Sequence, residues 1–417
     1  MLIAGAVCLV SFAGFWIAQR AAGVSMVDLR VYRAEGLTVL EGRDLYAMRA
    51  TAARLPTTYP PFAALLFTPL TLPSVPVLRT LATAGNLLLL VVFVRLSLRL
   101  VLQGKPPPPK EERQKEEVPQ KAAVPWAATL WVAAFAVWCE PVWTTLRYGQ
   151  INLLLAVAVL WDLCPRGPGA GRRRAAGAAI GLAAAVKLTP ALFAVLLLLT
   201  GVVRARRAGW NPWLRQAATA GAVFAGTTLL AAVLLPGDSR RYWTGVLFEA
   251  ARAGRAEDTA NQSLRGVLAR LLHTADPGLW WPLAAVVVAG AGLTAAVLAA
   301  LRGERAGAVV ACAATALLIS PVSWSHHWVW CVPVVLFLAA RGGTTHGATG
   351  RAAAVWLVFC SYALWWVPHG SGAPELAQGV TEMTLSALYP LTALALIGWL
   401  LGKTVGARGY GQAVANE

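Results

Sequence analysis

The chain has 417 residues, of which 58% are hydrophobic and 13% are charged. Because an ordinary soluble domain carries roughly 25% charged residues, this composition excludes a disordered, fibrous or ordinary cytosolic protein. The net charge of +17 would indicate nucleic-acid binding in a soluble chain. Here the basic residues alternate with long apolar runs, so they mark membrane topology, and we predict a lipid bilayer and no nucleic acid as partner.

Apolar runs long enough to cross a membrane extend through the chain. A bilayer core about 30 Å thick needs about 20 apolar residues in a helix. The candidates for single spans are 1–19, 79–103, 123–139, 149–164, 215–236, 279–301, 306–320, 327–340, 352–368 and 383–402. The first run lacks the basic leader of a signal peptide, so we expect a retained helix. The sequence therefore predicts an all-α polytopic membrane protein.

The run 175–203 differs from the others because Lys187-Leu188-Thr189-Pro190 lies in its middle. A proline and a charge at that depth predict a break in the helix. Basic clusters at 172–174 and 204–207 flank the run, and the positive-inside rule places both in the cytoplasm. We therefore predict a helical hairpin whose arms of about 14 residues reach about 21 Å. Its tip should end in a cavity lined by protein.

Counting the hairpin as two crossings gives about 12 crossings, with both termini cytoplasmic. The inside loops then hold 19 basic residues and the short outer loops hold one, Arg147. Two longer external loops, 20–60 and 237–278, carry twelve arginines that this rule tolerates but does not explain. The stretch 104–122, rich in Pro, Lys and Glu, is predicted to be a cytoplasmic linker. We expect one domain over 1–417.

The first external loop contains a candidate catalytic acid. Asp28 follows the first span closely, and Tyr32 lies one helical turn further on the same face. A carboxylate held at the membrane edge can act as a general base. The alternatives are an ion pair with a nearby arginine or a helix cap. Asp44 and Glu35 are the next candidates in the same loop.

Four other polar segments are predicted to lie on the outer side. They contain Arg147, Gln150 and Asn152; Lys187; Asn261, Gln262 and Arg265; and Ser320, Ser323, His326 and His327. Ammonium and imidazole groups suit hydrogen bonding to a phosphate, whereas the amides of Gln150 and Asn152 suit either sugar hydroxyls or core packing.

Metal binding is not predicted, because no third ligand is spaced with His326 and His327 and the six cysteines lack metal-binding spacing. Adjacent residues on a helix point about 100° apart, so we expect only one of the two histidines to face the cavity squarely. No nucleotide-binding or serine-hydrolase motif occurs in a plausible context. The remaining chemistry is acid/base chemistry at the membrane edge.

The order of the motifs along the chain carries a resemblance to a known family. The motifs are Asp28-x-x-x-Tyr32, Gly42-x-x-x-Tyr46, Thr58-Tyr59-Pro60-Pro61-Phe62 with Pro69-Leu70, Gly149-Gln150-Ile151-Asn152 with Asp162, Lys187-Leu188-Thr189-Pro190, Asn261-Gln262-Ser263, and Ser320-Pro321-x-Ser323-Trp324-x-His326-His327. Through most of its length the chain resembles glycosyltransferase family 87, the polyprenol-phosphate-mannose-dependent α-(1→2)-mannosyltransferases of actinobacteria, within the glycosyltransferase C superfamily. The basic insert 105–121 and the missing basic lead before the first span depart from that pattern.

The resemblance implies a glycosyltransferase C-type transmembrane helix bundle whose external first loop carries short amphipathic helices. It implies a polyprenyl-phosphate mannose donor, a glycolipid or glycan acceptor on the outer leaflet of the cell membrane, and no cofactor. Asp28 would then be the base of an inverting transfer. Candidates for the leaving phosphate and the substrates are Tyr32, Tyr59, Arg147, Gln150, Asn152, Lys187, Gln262, Arg265, His326 and His327.

Two other classes of protein would also place polar residues in a membrane. A transporter or flippase for a lipid-linked sugar needs a polar cavity, but transporters often show repeated halves, and no repeat is evident here. A non-catalytic scaffold would not need Asp28 beside a polar cluster. A hexosyltransferase therefore explains more of the sequence than either alternative.

Overall fold

The computed structural model describes residues 1–103, 124–164, 175–341 and 346–413, with the backbone alone for 346–348 and 404–413. The predicted linker 104–122 and the basic loop 166–174 lie outside the described residues. The described part is almost entirely helical. Its only strands, β1 (Arg49–Ala50) and β2 (Leu55–Pro56), form a short antiparallel pair.

Eighteen α-helices occur in the described part of the chain. In order they are α1 Leu2–Ala21, α2 Val27–Leu40, α3 Pro61–Phe67, α4 Val75–Gln103, α5 Trp126–Ala136, α6 Glu140–Tyr148, α7 Asn152–Leu163, α8 Ala178–Val186, α9 Ala191–Ala208, α10 Pro212–Leu234, α11 Pro236–Thr244, α12 Leu264–Leu271, α13 Trp280–Leu301, α14 Arg305–Ile319, α15 Cys331–Ala340, α16 His346–Cys360, α17 Val380–Ser386 and α18 Leu388–Ala413. The 3₁₀ helices are Thr68–Thr71, Val246–Phe248, Ala250–Ala253, Ser325–Trp330, Ala363–Trp365 and Pro374–Ala377.

Four described helices, α1, α4, α10 and α13, are long and apolar enough to cross a membrane. Two bent pairs could each form a further span: α6 with α7, bent by 116°, and α17 with α18, bent by 69°. The chain is therefore a multi-pass membrane protein. Two predicted spans need correction. The run 352–368 stops being an α-helix at Cys360 because Tyr362 has a left-handed backbone (φ 56°), and the run 383–402 is interrupted at Ala387.

The predicted hairpin is present. α8 ends at Val186 and α9 begins at Ala191, so the break falls at the expected tip. Gly177 packs against the backbone of Gln216, and Gly201 packs against Leu214. The two ends of the hairpin segment 175–203 therefore both contact the N-terminal end of α10. The arms are unequal, since α8 has 9 residues and α9 has 18.

The centre of the bundle is α14, in which every residue from 306 to 318 is buried. Small side chains let neighbouring helices approach it closely, as is common between membrane helices. At the closest point, Gly292 of α13 lies against the side chain of Thr315, whose hydroxyl donates to the carbonyl of Ala311 (2.7 Å). A β-carbon at position 292 would overlap the hydroxyl oxygen of Thr315. The contact between α13 and α14 therefore requires glycine at this position.

Two glycines of α13 provide a matched test of this contact. Gly290→Ala should leave stability unchanged or raise it, because the space around Gly290 is open and alanine favours a helix by up to about 1 kcal/mol. Gly292→Ala should lower the free energy of unfolding by about 1–3 kcal/mol, the usual cost of overpacking. Thermal unfolding in detergent measures both. Equal melting temperatures for the two variants would contradict the proposed contact.

Candidate active site

One large cavity, with a volume of about 820 Å³, collects most of the predicted site residues. Its wall is formed by α2, the segment after β2, the end of α6, the hairpin tip, the segment 237–278 and the segments 319–327 and 365–370. The predicted site residues on this wall are Asp28, Tyr32, Tyr59, Gln150, Lys187, His326 and His327. Segments far apart in sequence therefore do meet on one side of the protein.

Asp28 lies in the first turn of α2 and is held by a single side chain. The Nε2 of Gln150 donates to its Oδ2 at 2.7 Å. Gly149 makes this approach possible, because its left-handed backbone (φ 68°) brings α6 against Leu29 with no room for a β-carbon. No ion pair with Asp28 occurs within the described residues, and Asp28 does not cap α2. Neither an ion pair with an arginine nor a helix cap therefore explains the position of the Asp28 carboxylate.

The environment of Asp28 favours its protonated form more than water would. Burial raises the pKa of this carboxyl to about 6, although the hydrogen bond from Gln150 and the charge of Lys187 act in the opposite direction. A carboxyl with a pKa near 6 is ionised at neutral pH and still basic enough to accept a proton during a reaction. Asp28 thus has the properties of a general base.

The amide of Gln150 is oriented by two tyrosines. Tyr32 donates from its hydroxyl to Gln150 Oε1 at 2.7 Å, and the hydroxyls of Tyr32 and Tyr59 lie 2.9 Å apart. Phe67 stacks on Tyr32 with ring centroids 4.5 Å apart. Because Oε1 accepts from a tyrosine, Nε2 is directed toward Asp28. This network fixes the position of the carboxylate before any substrate binds.

Lys187, at the hairpin tip, contacts His327 and Asn152. Its Nζ lies 2.9 Å from His327 Nε2 and 3.2 Å from Asn152 Oδ1. Asn152 Nδ2 and Thr145 Oγ1 both donate to the backbone carbonyl of His326, at 2.9 and 2.7 Å. An ammonium group can only donate, so Nε2 of His327 accepts and Nδ1 carries the proton. Lys187 and His327 therefore present two hydrogen-bond donors, Nζ and Nδ1, that suit an anion.

Both histidines line the cavity, so the expectation that only one would face it is wrong. Their rings lie at right angles with centroids 4.7 Å apart. The 3₁₀ helix Ser325–Trp330 begins on the cavity wall, and nearly every residue from 319 to 327 contributes to that wall. The cavity extends along both sides of this turn, so the side chains of His326 and His327 both reach it although they point in different directions.

Four predicted substrate-binding residues do not line the cavity: the three residues Arg147, Gln262 and Arg265, and also Asn152. Arg147 is exposed on α6, and Arg265 is partly buried on α12. Gln262 is fully buried, and its Nε2 donates to the carbonyls of Thr259 and Ser386, each at 2.7 Å. Asn152 stays beside the site through its contact with Lys187. The structure thus joins eight of the predicted residues and separates these three from them.

Several arginines of the segments 20–60 and 237–278 bind other parts of the protein. Arg241 forms an ion pair with Asp44 of the other segment. Arg252 lines the cavity, and its Nε donates to the carbonyl of Thr57 at 2.7 Å. Arg270 is fully buried and donates to the carbonyl of Ser386 at 3.1 Å. These contacts give these arginines a structural role, whereas the positive-inside rule did not explain their presence.

Sequence reasoning missed Glu140, which is fully buried at the start of α6. Its carboxylate accepts hydrogen bonds from Thr144 (2.8 Å), Ser325 (2.8 Å), Trp365 (3.2 Å) and Tyr389 (3.0 Å). It therefore ties α6 to the segment that carries the two histidines and to the C-terminal part of the bundle. The available signal was an isolated acid between apolar runs.

Asp258, which sequence reasoning also missed, lines the cavity, as does Trp324, which the motif at 320–327 contained without an assigned role. A group of three or more residues able to hold a metal ion is absent from the described ranges.

The model of glycosyltransferase family 87 matches residues 58–321. The chain belongs to this family. It is 36% identical over 322 residues to the polyprenol-phosphate-mannose-dependent alpha-(1-2)-phosphatidylinositol mannoside mannosyltransferase of Mycobacterium tuberculosis, covering 76% of this chain and 70% of the relative. It is 32% identical over 402 residues to the corresponding pentamannoside mannosyltransferase of Mycolicibacterium smegmatis, covering 91% of this chain and 85% of that one.

These relatives confirm the family indicated by the motifs, so the chain is a glycosyltransferase, and they give no support for a transporter. Among solved structures, ArnT from Cupriavidus metallidurans bound to undecaprenyl phosphate aligns with a TM-score of 0.42 and 15% identity, covering 100% of this chain and 79% of that chain. A likeness of that strength carries no argument here. Asp28 lies before the matched range of family 87, so its role depends on the geometry of the cavity.

Glu140 should dominate the stability of this region. Glu140→Ala leaves buried donors without an acceptor and should lower the free energy of unfolding by about 3–5 kcal/mol. The exposed Glu41, paired with Arg43, is the control, and Glu41→Ala should cost at most about 1 kcal/mol. Melting curves in detergent measure both variants. Similar melting temperatures for the two would show that the Glu140 network does not hold the bundle together.

Proposed function

We propose that this chain transfers mannose from a polyprenyl-phosphate donor to a glycolipid acceptor, a phosphatidylinositol mannoside, with inversion at the anomeric carbon. The names of the relatives support the donor and the acceptor. The observation that carries the mechanism is that Asp28 and the Lys187–His327 pair face the same cavity. One carboxylate and one anion site are the minimum that such a single displacement requires.

The donor phosphate binds at the hairpin tip. Lys187 and His327 supply a cation and a neutral donor, and the N-terminal end of α9 adds the positive end of a helix dipole. From this point the cavity wall continues along apolar residues of α9 and α14, among them Leu192 and Ile319. A prenyl chain attached to the phosphate would follow that wall toward the lipid.

The reaction is a direct displacement. Asp28 takes the proton from the acceptor hydroxyl while that oxygen attacks the anomeric carbon, and the bond from this carbon to the phosphate oxygen breaks. Polyprenyl phosphate leaves with increased negative charge, which Lys187 and His327 stabilise where it develops. Gln150 keeps the carboxylate oriented throughout. Because the displacement is single, a β-linked donor gives an α-linked product.

The cavity opens toward the external face of the cell membrane, and both termini lie in the cytoplasm, with about 12 crossings. The 19 basic residues of the inside loops against one in the short outer loops support this arrangement. With single cysteines introduced in intact cells, a membrane-impermeant reagent should label position 30 and spare position 110. Labelling of both positions would contradict the arrangement.

Replacing the base should remove most of the activity without unfolding the protein. Asp28→Asn keeps the size of the side chain but cannot accept the proton, and loss of a general base typically lowers the rate about 10²- to 10⁴-fold. Transfer of radiolabelled mannose by purified protein measures this. The control is Asp276→Asn, at an exposed aspartate of the external loop 237–278. A folded Asp28→Asn variant that transfers at the wild-type rate would exclude Asp28 as the base.

The pH profile gives a second measurement of the same assignment. Because Asp28 must be ionised to accept a proton, and burial raises its pKa to about 6, kcat/KM should fall as the pH drops through about 6. Above that pH the carboxylate of Asp28 is ionised, so kcat/KM should stop rising with pH. A profile that stays flat between pH 7 and 5 does not fit this base.

The phosphate site can be tested by separating donor use from stability. Lys187→Ala and His327→Ala each remove a charge-assisted hydrogen bond worth about 1.5–3 kcal/mol, so donor affinity should fall more than tenfold. Because the two side chains touch, their effects should not add. The control is Arg240→Ala, an exposed cation on α11. Lower melting temperatures with unchanged donor affinity would instead indicate a purely structural role.

A further inference from the structure

Besides Asp28, two carboxylates line the cavity, and the proposed mechanism uses neither: Glu249, which pairs with Arg252 at 3.6 Å, and Asp258. Asp258 belongs to the external loop 237–278, whereas Asp28 lies in the first external loop. Tyr148, at the end of α6, interacts electrostatically with both Asp28 and Asp258. These two acids therefore face one chamber from different loops.

The backbone around Asp258 holds its side chain in a fixed orientation. Its Oδ1 accepts from the backbone N–H of Ala260 at 2.8 Å. Its carbonyl oxygen accepts from the N–H of Asn261 at 2.8 Å and from Arg270 at 3.0 Å. Within the described residues, Oδ2 has no hydrogen-bond partner, and Asp258 is only half-buried. One oxygen is thus occupied by the fold, and the other is available to a ligand.

Trp324 is fixed on the same cavity wall by the segment of chain that follows Asp258. Asn261 forms an isolated antiparallel bridge with Trp324, and the N–H of Ser325 donates to the carbonyl of Ala260 at 2.8 Å. Gly254, with φ 136°, lies against the indole ring, and a β-carbon there would overlap the ring. The side chain of Trp324 therefore has a defined place on the cavity wall.

A carboxylate and an aromatic ring on the wall of one cavity suit a sugar. Sugar hydroxyls donate hydrogen bonds to the carboxylate, while the C–H groups of the pyranose ring pack against the indole. Asp258 carries the same sign of charge as the donor phosphate, so this part of the cavity disfavours the phosphate and favours a neutral polyol. The phosphate has its own cationic site at Lys187.

We propose that Asp258 and Trp324 bind the terminal mannose of the acceptor and present its hydroxyl to Asp28. This inference rests on the proposed function, because it names the subsite that takes the second substrate. Asp258 is a binding residue here, and Asp28 remains the base.

The decisive variant is Asp258→Asn. Asparagine keeps Oδ1 as the acceptor for Ala260, so the loop should fold, while the negative charge is lost. With purified full-length enzyme, the KM for the phosphatidylinositol mannoside should rise at least tenfold, and the KM for the polyprenyl-phosphate mannose donor should change less than twofold. Trp324→Phe, which keeps a smaller aromatic face, should give an intermediate rise. Asp276→Asn should match the wild type in both constants.

Two kinetic outcomes would overturn the inference. An unchanged acceptor KM would remove Asp258 from the acceptor site. Loss of kcat with both KM values unchanged would make Asp258 the base.

A binding measurement without donor keeps this test separate from the proposed function. Wild-type protein in lipid nanodiscs should bind phosphatidylinositol mannoside more tightly than phosphatidylinositol, and Asp258→Asn should reduce that preference at least tenfold. If the wild type shows the preference but transfers no mannose, the proposed function fails and the inference stands. If the wild type shows no preference, or Asp258→Asn keeps it, the inference is wrong.

Discussion

The architecture follows from one constraint: a backbone that leaves helical geometry among apolar spans must be surrounded by protein or by a water-filled cavity. Three of the departures in the described residues form the site: the hairpin tip between α8 and α9, the elbow between α6 and α7, and the segment before the 3₁₀ helix Ser325–Trp330. All three meet at the same cavity. Their unpaired groups need partners, and they find them in one another, as when Asn152 and Thr145 donate to the carbonyl of His326.

This convergence places opposite charges in one enclosed volume while keeping them out of direct contact. Asp28 is held by a neutral amide, and Lys187 is held by a neutral imidazole and a second amide. If the two charges formed an ion pair, each would neutralise the other, and neither would be available to a substrate. The neutral partners therefore preserve a base and an anion site in one chamber.

Sequence reasoning succeeded where the physical signal was local. A proline and a lysine inside an apolar run predicted the break at Lys187, and the helical spacing of Asp28 and Tyr32 placed both on one face. It failed where the signal depends on distant partners. Of the four side chains that donate to Glu140, three lie 185 to 249 positions away, and no local pattern reveals them.

Amide-rich motifs were equally ambiguous from the sequence. The amide of Gln150 orients Asp28 in the cavity, whereas the amide of Gln262 binds two backbone carbonyls in the core. Both are glutamines beside an asparagine-containing motif on the same side of the protein. The three-dimensional path of the segment 237–278, which the sequence does not reveal, separates the two uses.

The hairpin tip also has a consequence for how the protein is made. Lys187 lies at the tip of a hairpin of apolar helices, and a lysine at the centre of a membrane helix costs about 2.5–3.5 kcal/mol on insertion scales. Its partner Asn152 precedes it in the chain, but His327 follows 140 residues later. During synthesis the N-terminal half therefore holds an incompletely compensated charge until α14 and the following segment are inserted. A chain released from the ribosome before that point would keep Asn152 beside Lys187 but would lack His327.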